Sequence, residues 1–374
     1  MSEHLSLLQE SLNRFLDQQV APFYDQWEDD GIIPRSLWLA LGEAGFLCVD
    51  QAQEYGGAEG GFPLSAAIIE TISRRGFASL ATNLSVHSDI VAPYIAHLGT
   101  ESQKKHWLPK LISGEAVGAI AMTEPNAGSD LQAMKTQAKP TENGFLISGQ
   151  KTFITNGQQA DVCIVAAKSQ PDSGAKGISL FLLEKKAKGY DLGRNLEKMG
   201  LHSGDTFELF FDDVFCDEPL GSLNQGFSHL MNELPRERLI LAVGALGACR
   251  GMMEMTIDYA KQRQLFNKRL AELQNTRFKL AELDTQISIN QAYVNECMNA
   301  YQAGELTAIM ASKAKLATTE LQCQVADECL QLFGGYGYMK EYPISRAFLD
   351  ARIQRIYGGT SEVMKEIIAR GLFL

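Results

Sequence analysis

The chain has 374 residues, of which 45% are hydrophobic, and it carries a formal net charge of −11 with an isoelectric point near 5.2. A chain of this length and composition buries a sizeable core, which argues against a largely disordered protein. Because general binding to nucleic acid or to anionic membranes requires an excess of basic surface, the acidic balance argues against both of these partner classes.

The cysteines and the N-terminal sequence predict a cytoplasmic location. The seven cysteines are scattered and form no C-x-x-C pair, a pattern typical of reduced thiols in the cytoplasm. The opening "MSEHLSLLQESLNRFLDQQV" mixes charges into an amphipathic pattern, which predicts a first helix and not a signal peptide. We expect no stretch of transmembrane length.

The six histidines lack metal-ligand spacing, so we expect no metal site.

The pattern of apolar residues divides the chain into three regions, which we predict to be three domains. Residues 1–116 repeat apolar positions every three or four residues and predict an all-α N-terminal domain. Residues 117–225 contain short β-branched and aromatic runs separated by Gly, Asn or Asp, which predict a middle antiparallel β domain. Residues 226–374 return to long helical patterns, typical of a bundle that can also supply an oligomer interface.

The segment "AIAMTEPNAGSD" (119–130) opens the β region and is the first candidate site. Pro125 removes a backbone donor and Gly128 permits positive φ, so we expect a bend with free N–H and hydroxyl groups. The bend is either a simple polar turn or a set of donors for the edge of a planar polar ring, as a flavin requires. The residues alone leave both interpretations open.

Two further segments are ambiguous when taken singly. "GQKTFITNG" (149–157) predicts a hairpin strand between glycine turns. In "IYGGTSE" (356–362), Thr360 or Ser361 is a good N-cap for the last helix, whose first N–H groups suit a phosphate or a polar cofactor atom. A cap without a ligand also explains this motif. Neither segment contains the G-x-G-x-x-G fingerprint, so a Rossmann-type site is not supported.

Taken together and in this order, several segments resemble the acyl-CoA dehydrogenase family over essentially the whole chain, and its long-chain members most closely. These segments are "MTEPNAGSD", "FITNG", "KMG", "FFDDV", "QLFGGYGY" and "IYGGTSE". The resemblance implies an N-terminal helical domain, a middle antiparallel β-barrel or sandwich and a C-terminal four-helix bundle. It also implies FAD, held between the β domain, the C-terminal helices and a neighbouring subunit of a homotetramer built as a dimer of dimers.

The resemblance assigns FAD contacts residue by residue to several segments. One departure is Asn267, where the family often has glycine, and this affects the local turn geometry. The implied FAD contacts are Ile120, Ala121, Met122, Thr123, Glu124, Gly128, Ser129, Phe153, Ile154, Thr155, Arg263, Phe266, Gln274, Gln331, Leu332, Phe333, Gly334, Gly335, Thr360, Ser361 and Glu362.

The position of the catalytic base raises a specific question. The family removes the α-proton of an acyl-CoA with a carboxylate that usually follows the tyrosine of "IY-x-G-T", but here Gly358 follows Tyr357. Long-chain and isovaleryl members carry the glutamate at the start of the first long C-terminal helix instead, and Glu237 in "ELPRERLILA" matches it. Gly358 would then keep only its backbone N–H, which would bind the thioester carbonyl together with a ribityl hydroxyl of FAD.

Helical geometry bears on Glu237 independently of the resemblance. Residues three or four apart share a helix face, so Glu237 is predicted to lie beside Ile240, Leu241 and Gly244. Small residues on this face leave room for an acyl chain. Two alternatives are that the glycines only permit close helix packing, and that Glu237 is a solvated acid in a first helical turn, where the helix dipole favours it.

The predicted function is FAD-dependent α,β-dehydrogenation of a medium-to-long or branched saturated acyl-CoA to the trans-2-enoyl-CoA, with electrons passed to an electron-transfer flavoprotein. Alternatives are an acyl-CoA oxidase that uses oxygen, a noncatalytic acyl-CoA-binding or assembly protein of the same fold, and an enzyme acting on another carbon acid. The substrate contacts implied by the resemblance are Ser129, Lys176, Ser228, Pro235, Arg236, Arg238, Tyr357, Gly358 and Gly359.

Overall fold

The computed structural model describes residues 3–373, which begin with a helical region as the sequence predicts. The apolar stripes of these helices meet in one cluster that includes Leu12, Leu41 and Ile68. A π-helical turn, Val86–Val91, joins α5 to α6. The helices are α1 (Glu3–Phe15), α2 (Tyr24–Asp30), α3 (Arg35–Glu43), α4 (Gly61–Arg74), α5 (Ala78–Ser85), α6 (Ala92–Leu98) and α7 (Glu101–Ile112).

The middle region is a sheet with the strand order β6-β7-β3-β2-β4-β5-β8, and β1 pairs with β4. Most neighbouring strands are antiparallel, as predicted, but β1 runs parallel to β4. Because β1 enters directly from α7, no hairpin turn sets its direction. The strands are β1 (Gly118–Ala121), β2 (Gln137–Thr141), β3 (Gly144–Thr155), β4 (Val162–Lys168), β5 (Ile178–Glu184), β6 (Tyr190–Asn195), β7 (Thr206–Cys216) and β8 (Pro219–Leu220).

The C-terminal region is helical again, and its long helices α8, α9 and α10 lie side by side. The predicted domain boundaries after residues 116 and 225 lie inside the connections before β1 and before α8, and they stay predictions. The elements are α8 (Gly226–Gln262), β9 (Gln264–Leu265), β10 (Lys268–Arg269), α9 (Gln274–Gln302), α10 (Ala308–Phe333), α11 (Pro343–Ala351) and α12 (Ser361–Phe373).

Helix α8 corrects one expectation. By length and composition it could cross a membrane, since an 18-residue window has a mean hydropathy of 1.4. The expectation of no stretch of transmembrane length is therefore wrong on these two criteria. However, 61% of that window is buried inside the protein. The core helix of a protein can reach this length and hydropathy without crossing a membrane, because it is apolar on the faces that other helices cover.

The glycine-rich face of α8 packs against α4. A Cβ atom on Gly247 would lie 2.5 Å from the carbonyl oxygen of Glu70, and one on Gly251 would lie 2.1 Å from that of Arg74. These glycines therefore let the two helix backbones approach closely. The hypothesis that this face leaves room for an acyl chain is wrong at Gly247, where the alternative of close helix packing is confirmed.

We expect Gly247→Ala to destabilise the protein by about 1–3 kcal/mol, because the added methyl group overlaps the Glu70 carbonyl and forces α4 and α8 apart. Gly244→Ala is the matched control on the same helix, since its Cβ would meet only side-chain atoms of Ile69 and Ser73, 3.3 and 3.4 Å away. Urea unfolding measures both variants. Equal free energies of unfolding for the two variants would contradict this packing argument.

Candidate active site

Glu237 lies in the protein interior on α8, and α6 covers it. The residue is only 4% exposed, and the hydroxyl of Tyr94 donates a 2.8 Å hydrogen bond to its Oε1 atom. Burial raises the pKa of Glu237 to about 7, against the opposing effects of this hydrogen bond and of the charge on Arg238. A desolvated carboxylate with a raised pKa is a stronger base than one in water, which suits proton abstraction near neutral pH.

Glu237 does not lie at a helix start. Helix α8 begins at Gly226 and continues through Pro235, so the carboxylate lies well beyond the first turn and its unpaired N–H groups. The alternative of a solvated acid in a first helical turn is therefore wrong. The expected start of the helix near Glu237 is wrong as well. The helix begins at Gly226, because Gly226, Leu230 and Leu234 form a buried face before Pro235.

The Gly358–Gly359 turn meets α8 beside Glu237. Arg238 Nε donates a 3.3 Å hydrogen bond to the carbonyl oxygen of Gly358, although 120 residues separate them. A Cβ atom on Gly358 would lie 2.5 Å from Cδ1 of Leu241, which is one helical turn beyond Glu237 on the same face. The space that an acid after Tyr357 would enter is therefore the space beside the Glu237 helix.

This turn has unused backbone donors. Its glycines have φ angles of 63° and 98°, a region that glycine occupies readily and other residues rarely adopt. Within residues 3–373, no protein acceptor takes the N–H groups of Gly358, Gly359 or Thr360. Lys315 Nζ donates a 2.7 Å hydrogen bond to the carbonyl oxygen of Gly359. Free N–H groups in successive positions bind a carbonyl or anionic oxygen.

Thr360 is the N-cap of α12. Its Oγ1 atom accepts a 3.3 Å hydrogen bond from the Val363 N–H, whereas the Ser361 hydroxyl donates to Glu320 at 2.7 Å. Of the two predicted capping residues, the structure therefore selects Thr360. The cofactor contacts expected from Thr360, Ser361 and Glu362 stay predictions.

Arg236 precedes Glu237 in sequence but lies in a different environment. Its guanidinium donates hydrogen bonds to the Asp89 carbonyl and to the Asp50 carboxylate, and it lies 3.7 Å from the Asp89 carboxylate. The Arg236 side chain is 4% exposed. This arrangement assigns it to a buried ion network that joins α8 to the π-helical turn, a role distinct from the substrate contact that the resemblance implies.

A buried ion pair that the sequence analysis missed holds the polar bend (residues 120–129). Lys151 Nζ lies 2.9 Å from Glu124 Oε1 and donates to the Met122 carbonyl at 3.0 Å. Glu124 also accepts the N–H groups of Lys135 at 2.6 Å and Thr136 at 3.0 Å. Both carboxylate oxygens are thus engaged inside the protein, and the backbone N–H and C=O of Glu124 are hydrogen-bonded to Ala127 at 3.0 and 3.1 Å. The cofactor contact expected from Glu124 stays a prediction. A lysine in a strand pattern gives no sign of burial.

Phe153 interrupts strand β3 and exposes its ring next to the polar bend. It has a φ of 60°, and the register of β3 against β7 shifts between Lys151 and Ile154, which marks a bulge. Phe153 is 67% exposed, whereas Ile154 is 2% exposed. The N–H of Thr152 donates to the Thr123 carbonyl at 3.0 Å and ties the bulge to the bend. An exposed aromatic ring beside a polar loop suits a planar cofactor ring.

A second surface lies at the end of α8. Its pocket of about 710 Å³ includes Arg263, whose guanidinium lies 5.4 Å from the centre of the Tyr336 ring. Phe266 is 91% exposed, and Gln274 is exposed at the start of α9. The pocket brings Arg263 together with five other predicted cofactor residues, which are Gln331, Leu332, Phe333, Gly334 and Gly335.

Each of the two surfaces offers groups that suit a part of FAD. The bulge at Phe153 supplies an exposed aromatic ring beside the polar bend, an arrangement that suits the flavin ring. Arg263 beside the Gly334–Gly335 backbone suits the pyrophosphate, because a guanidinium binds phosphate oxygens in pairs. Among the other predicted substrate contacts, Ser129, Lys176 and Ser228 are exposed, and no hydrogen bond within residues 3–373 links them to Glu237. Their roles stay predictions.

Comparison with known proteins identifies the fold and the chemistry. Family models for the N-terminal, middle and C-terminal domains of acyl-CoA dehydrogenases match residues 2–115, 119–214 and 224–373. A mitochondrial long-chain specific acyl-CoA dehydrogenase of Sus scrofa is 46% identical over 374 residues, which cover 99% of this chain and 86% of the relative. A mitochondrial isovaleryl-CoA dehydrogenase of Solanum tuberosum is 35% identical over 368 residues, 97% of this chain and 89% of the relative.

Solved structures agree with these matches. An acyl-CoA dehydrogenase from Geobacillus kaustophilus superposes with a TM-score of 0.98 at 44% identity, covering 100% of this chain and 99% of that one. A glutaryl-CoA dehydrogenase from Mycobacterium smegmatis in complex with FADH2 superposes with a TM-score of 0.93 at 28% identity, covering 100% and 95%. The predicted family, fold class and cofactor are confirmed. The chain belongs to the acyl-CoA dehydrogenase family, whose members are FAD-dependent enzymes.

Proposed function

We propose that this enzyme converts a saturated acyl-CoA to the trans-2-enoyl-CoA with Glu237 as the base that removes the α-proton. The observation that carries the proposal is the buried Glu237 carboxylate, with its pKa raised to about 7, beside a glycine turn where most family members place their acid. One base is needed, and Glu237 lies on the face of α8 that carries Leu241, whose Cδ1 atom would lie 2.5 Å from a Cβ atom added to Gly358.

Glu237 and the residues around it have separate roles in the reaction. Bound FAD supplies the acceptor for the β-hydride. Glu237 takes the α-proton, and Tyr94 holds the carboxylate in place. The free N–H of Gly358 donates to the thioester carbonyl oxygen, where negative charge develops as the proton leaves. Such a bond strengthens toward the transition state and therefore lowers the barrier.

The similarity to long-chain specific and isovaleryl-CoA relatives supports a medium-to-long or branched acyl group as the substrate. We propose an electron-transfer flavoprotein as the acceptor, a homotetramer as the assembly and the cytoplasm as the location. Exposed apolar residues on α9 support a subunit interface there, since Phe278 is 58% and Ile289 is 65% exposed.

We expect kcat/KM to rise with pH through a midpoint near 7, because Glu237 must lose its proton before it can act as a base and burial raises its pKa to about 7. In Tyr94→Phe the carboxylate loses a hydrogen bond that stabilises its charged form, so the midpoint should move higher by about one pH unit. Initial rates between pH 5.5 and 9.5 measure both midpoints.

Tyr293→Phe is the control for this pH series. Tyr293 also loses one hydrogen bond, to the Met310 carbonyl at 3.4 Å, but it lies on α9 and not beside Glu237. Its midpoint should equal that of the unmodified enzyme. A Tyr94→Phe profile that coincides with both would show that this hydrogen bond does not set the pKa of the base.

The test of the proposed reaction is anaerobic. Purified enzyme is mixed with saturated acyl-CoAs of four to sixteen carbons and with isovaleryl-CoA while flavin absorbance is followed. Rapid bleaching by one length class supports dehydrogenation and ranks the substrates. Peroxide formation in air without another acceptor would favour an oxidase. Colourless protein that does not take up FAD, or flavin that no acyl-CoA bleaches, would overturn the proposal and favour a noncatalytic role.

A further inference from the structure

We infer that Lys315 is a positioning residue for the reaction: together with Arg238 it holds the Gly358–Gly359 turn so that the turn stabilises the negative charge of the deprotonated thioester. The inference rests on the proposed function, because it requires a thioester carbonyl at this turn. Lys315 comes from α10, and its hydrogen bond to Gly359 is the contact through which it would act.

The two successive carbonyl groups of the turn are each held by a cation. Arg238 Nε donates to Gly358 O at 3.3 Å, and Lys315 Nζ donates to Gly359 O at 2.7 Å. In a trans peptide the C=O and N–H bonds point in opposite directions, and the described residues contain no cis peptide. The N–H groups of Gly359 and Thr360 therefore point away from the cations. Hydrogen bonding to a carbonyl also polarises the N–H of the same peptide, which here belongs to Gly359 or Thr360. The Gly358 N–H, which donates to the thioester in the proposed function, belongs to the preceding peptide, so the cations act on it by holding the turn in place.

Lys315 is buried without a close counter-charge. It is 0% exposed, and within residues 3–373 no carboxylate lies within 4.0 Å of its ammonium group. The charged groups that face it are Arg238 on α8, Glu320 on its own helix and Glu362 on α12; burial, followed by the charge of Arg238, lowers the pKa of Lys315 to about 8. A buried cation without a paired carboxylate is costly. An anion formed on the substrate would complement it.

The chemical step concerned is the proton transfer alone. The α-C–H bond of the thioester breaks, the proton moves to the Glu237 carboxylate, and the electron pair delocalises onto the thioester oxygen. No oxidant is consumed in this step. The positive charges of Lys315 and Arg238 act on the substrate through the turn. They stabilise the negatively charged enolate oxygen more than the neutral carbonyl oxygen.

A substrate analogue that stops after this step provides the test. In 3-thiadodecanoyl-CoA a sulfur atom replaces the β-carbon, so Glu237 can remove the α-proton but no β-hydride can leave. The enolate next to bound oxidised flavin gives a long-wavelength absorbance band, and its pH midpoint reports the acidity of the bound analogue. The holoenzymes compared are the unmodified enzyme, Lys315→Met, Lys315→Gln, Lys315→Arg and Lys313→Met, an exposed lysine on the same helix.

We expect Lys315→Met and Lys315→Gln to raise this midpoint by about one pH unit or more, a tenfold loss of enolate stabilisation. Lys315→Arg should restore at least part of the shift, and Lys313→Met should leave the midpoint unchanged. If Lys315→Met fails to retain FAD, Lys315→Gln still measures the loss of charge. An unshifted midpoint in either variant would overturn the inference, even if that variant has a lower thermal stability. Failure of the proposed function is distinguishable, because the unmodified enzyme would then show no band and no bleaching by any acyl-CoA.

Discussion

Replacing Glu237 with glutamine is expected to lower turnover by about 100- to 10,000-fold, the contribution of a positioned general base, while FAD stays bound. Glutamine has nearly the same shape and can still accept the Tyr94 hydrogen bond, but it cannot take a proton. Steady-state turnover and the ratio of flavin to protein absorbance measure the two effects separately. Undiminished turnover would refute Glu237 as the base.

The same variant has a second expected signature in stability. Because the pKa of Glu237 is raised to about 7 in the folded protein, the folded state binds this proton more tightly than the unfolded chain. The resulting stability is present at low pH and is lost as pH rises from the ordinary carboxyl value toward 7. Glu237→Gln, which stays neutral, should therefore have a higher Tm than the unmodified enzyme at pH 8, and the gap should shrink at pH 5.

Glu233→Gln is the matched control for both measurements. Glu233 lies one turn earlier on α8, where it accepts a hydrogen bond from His97 at 2.8 Å and is half-buried. We expect it to keep turnover and to show no comparable gain in Tm at pH 8. Equal losses of turnover in Glu233→Gln and Glu237→Gln would indicate a general disturbance of the helix and not the removal of a base.

Lys151→Met is expected to lower the free energy of unfolding by about 3–5 kcal/mol, because it leaves the Glu124 carboxylate buried without its partner. The Lys151 side chain is 0% and that of Glu124 6% exposed. Although burial opposes it, the Lys151 charge lowers the pKa of Glu124, and the N–H groups of Thr136 and Lys135 add to this effect. Urea unfolding measures the loss, and the flavin content should fall as well, since this pair anchors the polar bend.

The double variant Lys151→Met with Glu124→Gln separates the charge from the packing. Removing both charges leaves no buried ion, so the double variant should be more stable than Lys151→Met alone. Lys139→Met, an exposed lysine on the neighbouring strand β2, is the control for loss of a lysine. A stability loss in Lys139→Met as large as in Lys151→Met would contradict a special role for the buried pair.

The candidate base shows how much of a site local sequence patterns can predict. Glu237 could be selected from the sequence because a motif marks it and because helical periodicity places it near Leu241. Tyr94, its hydrogen-bond donor, lies 143 residues away and carries no local mark. The same holds for Lys315 and Lys151, since a lysine in an amphipathic helix or strand is normally exposed. Their burial depends on what packs around them.

Local sequence patterns are sufficient to predict the order of helical, β and helical regions, the bend at Pro125 and the loss of an acid after Tyr357, because each depends on a few neighbouring residues. Three features could be read only from the folded protein: the close packing of the α8 glycines against α4, the parallel pairing of β1 with β4, and the two cations that hold the Gly358–Gly359 turn. These features arise from contacts between segments far apart in the chain. Burial, helix approach and charge pairing are properties of such contacts, and periodicity within one segment does not encode them.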